Sequence, residues 1–365
     1  MLAQKLEIEP ALCQMFAEPP GSWTLKPLQG DASTRSYYRL TLQPELSPNR
    51  LIVMQLAGSQ APDAGAQDRE LPFLNVQRFL ERRGVPVPRV YAQDLARNVV
   101  LLEDLGDETM EVRLRATAPE HWTHRYAEAV DLLVYLQQRC AEPDRGCVAY
   151  QRCFDAELLR WELDHFRQWG LEAVYGRLPA SDRRGLDADF DELVQLLLGM
   201  ATGFVHRDFQ CRNLMWASTR SPERLTVIDF QDALIGPRPY DLVALLCDSY
   251  VCLSPDLQQA MLDRYLSASG LSRVEAERFE LAFWRTALQR KLKDAGRFIY
   301  LDRMRANRSF LRWFPQSLVY VGRALERLGE LPELELRLKR SIPGFPGPVP
   351  VPQSVCDDLA AGGRR

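Results

Sequence analysis

The stretch Phe204-Val-His206-Arg207-Asp208-Phe-Gln-Cys-Arg-Asn213-Leu-Met-Trp216, continued by Leu225-Thr-Val-Ile-Asp229-Phe-Gln-Asp232, decides the fold of this chain. Asp208 is followed five residues later by Asn213. Leu225–Ile228 reads as a strand that delivers Asp229 at its end. One carboxylate can orient a hydroxyl and take its proton. A carboxamide oxygen and a second carboxylate can hold a hard divalent cation. Phosphoryl transfer asks for that equipment and little more. A polar turn before a core strand would explain the apolar residues but would leave Asn213 and the carboxylates without a purpose.

The chain around this stretch has two characters. Residues 23–28 and 36–42 alternate and are rich in aromatic and branched side chains, and are expected as strands; a third strand, 51–56, follows a Pro/Asn turn. Helical apolar spacing over 70–83, stopped by Gly84, predicts one helix. Val85–Tyr91 is expected to be extended, because Pro86 and Pro88 bias their predecessors away from helix. Val99–Leu105 is a further strand, and 5–18 a short helix. From 107 onward helical patterns dominate, over 119–140, 153–170 and 187–200. After the quoted stretch they resume over 239–251, 255–268, 273–300, 303–311 and 315–328. Trp161, Trp169, Trp284 and Trp313 fall in helical patterns and are expected in the core. Residues 57–68 read as a flexible loop, and the Pro- and Gly-rich 341–365 as a tail without a packed core. The expected fold is α+β and bilobal. A small antiparallel-sheet lobe over 1–106 ends in a hinge, and a larger helical lobe spans 107–340.

The 365 residues suffice for two lobes with proper cores. An apolar content of 46% and a charged content of 26% are ordinary for a globular protein. A net charge of -3 supplies no field that calls for nucleic acid. No apolar run reaches the length of a membrane span. The N-terminus carries acids where a signal peptide has its apolar stretch, so the cytoplasm is the expected compartment. A monomer is favoured. The eight cysteines form no Cys-x-x-Cys pair and are read as reduced thiols.

His206-Arg-Asp208 with Asn213 and the strand ending in Asp229 matches the protein-kinase signature. With Gly30-Asp-Ala-Ser33-Thr34-Arg35, Leu101-Leu-Glu103-Asp-Leu105-Gly106 and Gly236-Pro-Arg-Pro-Tyr-Asp241, the chain resembles the aminoglycoside phosphotransferase-like kinases, small-molecule relatives of protein kinases. Gly30-Asp-Ala-Ser33, Leu102-Glu103-Asp-Leu105-Gly106, Asp229-Phe-Gln-Asp232-Ala and Leu288-Gln289-Arg290-Lys-Leu-Lys293 together resemble one branch most, the bacterial anomeric kinases of N-acetylmuramate and N-acetylglucosamine in cell-wall recycling.

The resemblance implies a protein-kinase-like fold and an enzyme that uses ATP and Mg2+. Asp208 would be the catalytic base, with Asn213 and Asp229 on Mg2+. His206 and Asp241 would support the catalytic loop; a helix cap is another role open to Asp241. Backbone groups near Glu103 and Leu105 would bond the adenine edge. Ser33 and Thr34 would help cover the phosphates, although an ordinary hairpin turn has the same local sequence. Asp232 could touch metal or substrate, or face solvent. The third-strand lysine of kinases is missing. Met54 and Gln55 stand in its region, and Arg35, Arg39 and Arg69 are the candidate replacements.

Asp229 is followed within about a dozen residues by Asp241, which leaves no room for the activation segment of a protein kinase. A small-molecule acceptor is therefore expected. Between Arg285 and Arg327 eleven basic residues face three acids, a surface that repels a polycationic drug and attracts a carboxylate. Gln289, Arg290 and Lys293 are the candidate substrate contacts, with an arginine fork on the lactyl carboxylate of N-acetylmuramate. The alternatives are another small hydroxyl substrate, such as an aminoglycoside or amino alcohol, and a silent nucleotide-binding regulator.

Overall fold

The computed structural model describes residues 7–16, 18, 20–28, 35–56, 70–220 and 222–354. The chain runs through α1 (Glu9–Leu12), β1 (Thr24–Leu28), β2 (Ser36–Thr41), β3 (Arg50–Gln55), α2 (Pro72–Arg82), β4 (Val90–Asp94), β5 (Val99–Glu103), α3 (Met110–Arg115), α4 (Trp122–Arg139) and α5 (Ala156–His165). A π-helical turn, Phe166–Glu172, leads to α6 (Ala173–Tyr175) and α7 (Ala180–Leu198). Then come β6 (Thr202–Val205), β7 (Leu214–Trp216), β8 (Leu225–Val227) and β9 (Leu234–Pro237). The last elements are α8 (Tyr240–Leu246), α9 (Pro255–Ala268), α10 (Arg273–Arg305), α11 (Phe314–Leu328) and α12 (Pro332–Ser341). These form two compact units, one of Met1–Val112 with Asn213–Gln231 and one of Arg113–Arg212 with Asp232–Arg365.

The first unit is built on an antiparallel sheet in the order β1-β2-β3-β5-β4. Its register pairs Leu40 with Leu51 and Val53 with Leu101. These four side chains lie in one core with Ile8, Ala11 and Leu12 at α1. Pro27 is tolerated because β1 is an edge strand, where a missing N–H breaks no ladder. The extended run expected over 85–91 continues into β4, the other edge. The β7–β8 hairpin belongs to this unit, with Leu214 opposite Val227. The loop expected at 57–68 lies outside the described residues.

The second unit is mostly helical. Its axis is α10, 33 residues opened by a reciprocal Ser272–Glu275 capping box. Gly296 sits where α10 meets the π-helical turn. A Cβ there would come within 2.7 Å of Phe166 Cα, so only glycine allows the approach. The regular helix expected over 153–170 gives way to a π turn after His165. The helix expected over 303–311 is a correction too. α10 runs on to Arg305, ends at left-handed Ala306 (φ 51°), and a 3-10 turn follows at Arg308–Trp313. The expected tail also packs as far as it is described. Ile342, Phe345 and Val349 are buried, because apolar residues stand between the prolines and Gly322 of α11 leaves room for Pro346. Among the described residues no helix is long and apolar enough to cross a membrane.

Candidate active site

The loop after β6 is held from behind by buried carboxylates, Asp248 at the Cys211 N–H (3.1 Å) and Asp241 at the start of the loop. Asp241, in the first turn of α8, accepts the His206 N–H at 2.7 Å and the Arg207 N–H at 2.9 Å. Burial pushes its carboxyl up to about 6, against the pull of His206 and the two backbone bonds. Between these anchors Arg207 takes a left-handed conformation, φ 80°, which costs an ordinary residue about 1–2 kcal/mol. His206 is buried as well. Its Nδ1 accepts the Asp208 N–H at 3.2 Å and its ring meets Phe209 edge-on.

Asp208 itself is half-buried. Arg290 of α10 reaches it with Nη2, 3.2 Å from Oδ1, and donates Nη1 to the Arg207 carbonyl at 2.8 Å. The guanidinium lies 4.8 Å from the Tyr240 ring centroid. Burial alone would raise the Asp208 carboxyl, but the charges of Arg290 and Lys293 outweigh it and hold the group below its ordinary range. Asp208 is thus an ionised acceptor at neutral pH. Beside it, buried Glu162 of α5 accepts the Gln289 amide at 2.7 Å and lies 3.4 Å from Arg207 Nη2. Lys293 is 3.3 Å from Asp294, and the Asp232 side chain is exposed.

In the first unit, the β7–β8 hairpin brings Asn213 to the start of the segment after β8. The Asn213 carbonyl accepts the Ile228 N–H at 3.0 Å, and its side-chain amide lies 3.5 Å from Asp229 Oδ2. Asp229 has φ 66°, and its other oxygen accepts the Gln231 amide at 2.7 Å. Phe230 anchors the turn by stacking on Phe73 of α2, with ring centroids 5.1 Å apart. Among the described residues no three His, Cys, Asp or Glu side chains gather into a metal cage. One carboxylate and one amide oxygen fit instead a Mg2+ that keeps waters and takes phosphate oxygens.

The segment after β5 is fixed by two ion-pair systems. Glu103 holds Arg220 at 2.6 Å, while its own N–H donates to the Arg89 carbonyl. Asp104 accepts Arg39 at 2.9 Å and Arg50 at 3.0 Å, and caps the Gly106 N–H. Of the two positions expected at the adenine edge, Glu103 therefore gives its N–H to the sheet. Leu105 lies in the segment between the anchored residues. Among the replacements for the lysine, Arg39 is engaged by Asp104 and Asp107, and Arg35 lies 5.8 Å from the Phe73 ring centroid. Arg69, Ser33 and Thr34 lie outside the described residues.

Among the residues of the loop network not singled out from the sequence are Glu162 and Arg207. Glu162 carried a signal, a lone acid on the apolar stripe Leu159, Leu163, Phe166 of its helix. Arg207 carried none, since its left-handed turn is imposed by Asp241. Arg290 was expected at the substrate, but it is inaccessible and two of its donors serve the loop. Arg290→Lys keeps the charge but cannot make both bonds. Charge-assisted bonds of this kind contribute about 1.5–3 kcal/mol. A fall in kcat of roughly 10- to 100-fold is expected, with the KM for nucleotide little changed. Steady-state kinetics check it, and an unchanged kcat would remove Arg290 from the loop's support.

Residues 24–284 match the Phosphotransferase enzyme family, APH. A Pseudomonas aeruginosa protein named N-acetylmuramate/N-acetylglucosamine kinase is 32% identical over 321 residues, 87% of each chain. A Pseudomonas putida protein of the same name is 31% identical over 324 residues, again 87% of each. The ADP-bound crystal structure of aminoglycoside phosphotransferase APH(2'')-Ib superposes with a TM-score of 0.53 at 17% identity, over 84% of this chain and 94% of that one. This last likeness bears on the fold alone.

Proposed function

Since the chain belongs to the phosphotransferase enzyme family and transfers phosphate to a hydroxyl acceptor, we propose that its acceptor is the anomeric hydroxyl of N-acetylmuramate or N-acetylglucosamine. ATP is the donor and Mg2+ the metal, in the cytoplasm, as a step of cell-wall sugar recycling. The sugar oxygen attacks the γ-phosphorus, its proton passes to Asp208, and the bond to the ADP oxygen breaks. Asn213 and Asp229 hold the metal, which neutralises charge on the phosphates. Leu105 offers backbone to the adenine edge, and the Ser33 and Thr34 hydroxyls are assigned to the phosphates. The observation that carries this reading is Asp208, kept ionised by Arg290 on a loop clamped by Asp241. The names of the two relatives support the sugar. The test is ADP release with N-acetylmuramate, N-acetylglucosamine and kanamycin side by side. Both sugars should turn over and lose their reducing-end reactivity, because the anomeric oxygen is capped. Turnover of kanamycin alone, or a product that still reduces, would sink the proposal.

A further inference from the structure

With Arg290 committed to the loop, the cation that meets a sugar acid must lie elsewhere. Lys293, Arg297 and Tyr300 follow Arg290 along α10 at three- and four-residue steps, so they share a face. At that face stand α5 and the π-helical turn, drawn in by the Gly296 contact with Phe166. The Tyr300 ring lies 5.1 Å from His165 and 5.5 Å from Trp169. His165 stacks on Trp161 at 5.4 Å. Trp161, expected in the core, is 58% exposed, and it stacks from the outside on the buried His165.

Two details ask for a ligand. His165 is only 9% exposed, yet its buried Nε2 has no hydrogen-bond partner among the described residues. Such an atom carries a penalty until a partner arrives. Burial, then the charges of Arg297 and Lys293, pull the imidazole down to about 4, so it is neutral at physiological pH. Arg297 is exposed, forms no ion pair among the described residues, and lies with its guanidinium 5.0 Å from the Tyr300 ring centroid. Neighbouring cations are already taken, Arg285 by Glu330 and Arg303 by Asp302. Along α10 Lys293 lies between Arg290, which meets Asp208, and Arg297.

We infer that His165, Trp169 and Tyr300, whose ring planes stand 53–80° to one another, form an aromatic corner that cups the sugar ring, and that Arg297, beside Lys293, receives an anionic substituent at the end away from the reacting hydroxyl. The inference rests on the sugar-kinase reading. An aromatic face complements the C–H face of a pyranose, and a stacked guanidinium presents its donors to a carboxylate as a fixed fork. From Arg290 to Arg297 is about 10 Å of helix, a span that one substituted pyranose can bridge.

Arg297→Gln should lower kcat/KM for N-acetylmuramate about tenfold or more, through KM, and shift the preference between that sugar and N-acetylglucosamine by a similar factor. Arg297→Lys should restore part of the preference. Trp169→Leu should raise KM for both sugars while KM for ATP stays put. A preference ratio unmoved in Arg297→Gln overturns the anion site, and sugar KM values unmoved in Trp169→Leu overturn the aromatic corner. Failure of the sugar-kinase reading is seen separately, in a wild-type enzyme that turns over neither sugar, and it takes this inference with it.

Discussion

Asp208→Asn is expected to bind ATP·Mg2+ as the wild type does and to lose turnover by about 10^2- to 10^4-fold. The amide has the size of the carboxylate and keeps an acceptor oxygen for Arg290 Nη2, which lies 3.2 Å from Oδ1 in the native loop. The loop also keeps its bonds to Asp241. What disappears is a basic oxygen that can receive the sugar's proton as the bond to phosphorus forms. No other ionised carboxylate stands ready in this loop. Glu162 is occupied by Gln289 and Arg207, and Asp241 by two backbone N–H groups. The loss should therefore fall on kcat, with nucleotide affinity, measured by titration of a fluorescent ATP analogue, within about twofold of wild type. One cost is foreseeable. Arg290 is inaccessible and loses its charged partner, so a lower melting temperature is expected alongside the kinetic defect. A variant with kcat within tenfold of wild type would remove Asp208 as the base.

The same residues show why part of this molecule is legible in sequence and part is not. The spacing of Asp208, Asn213 and Asp229 is set by the chemistry of a phosphate and a metal, so it survives as a pattern in one dimension. Strands β1 and β2 alternate because the sheet buries one face against α1, whereas β5 is apolar from Val99 to Leu102 because it is buried along its whole length. Strands β6 and β9 have four residues each and contain Gly203, Gly236 and Pro237, so their pairing has no local signal. The start of α7 hides in Ser-Asp-Arg-Arg-Gly, and α12 in alternating Leu and Glu that mimics a strand. The close approach of the π-helical turn to α10 needs a glycine 130 residues away from Phe166, at Gly296, which no window of sequence contains. Arg290 looked like a substrate ligand because its charge is visible in sequence while its burial is not. Its place beside Asp208 follows from packing α10 against α8 and the loop.

Asp241→Asn is expected to be nearly as damaging as loss of the base, although Asp241 need not touch substrate. The native carboxylate accepts two backbone N–H groups, one on each oxygen, and is fully buried. An amide in its place keeps one acceptor and turns an N–H donor toward another N–H. A buried donor left unpaired costs about 1–3 kcal/mol. That is enough to release the left-handed turn at Arg207, and with it the carbonyl that Arg290 binds. Asp208 would then lose its position, and a displacement of an ångström is enough to cost about 100-fold in rate.

The pH dependence separates this role from that of Asp208. Asp241 is held up to about 6, whereas Asp208 lies below the ordinary carboxylate range. The acid limb of kcat/KM should therefore fall near pH 6 as Asp241 takes a proton and its grip on the two N–H groups weakens. In Asp241→Asn the residual activity should lack that limb. Stability should move the other way. An aspartate held up to about 6 when folded, against about 4 when unfolded, binds more proton in the folded state between those values. Its contribution to stability falls as pH rises from 4 to 6 and levels off above. Melting temperatures and rates recorded across that window should therefore diverge in the wild type. If activity and melting temperature instead rise together from pH 4 to 6, and do so equally in Asp241→Asn, Asp241 is not the group that sets the loop.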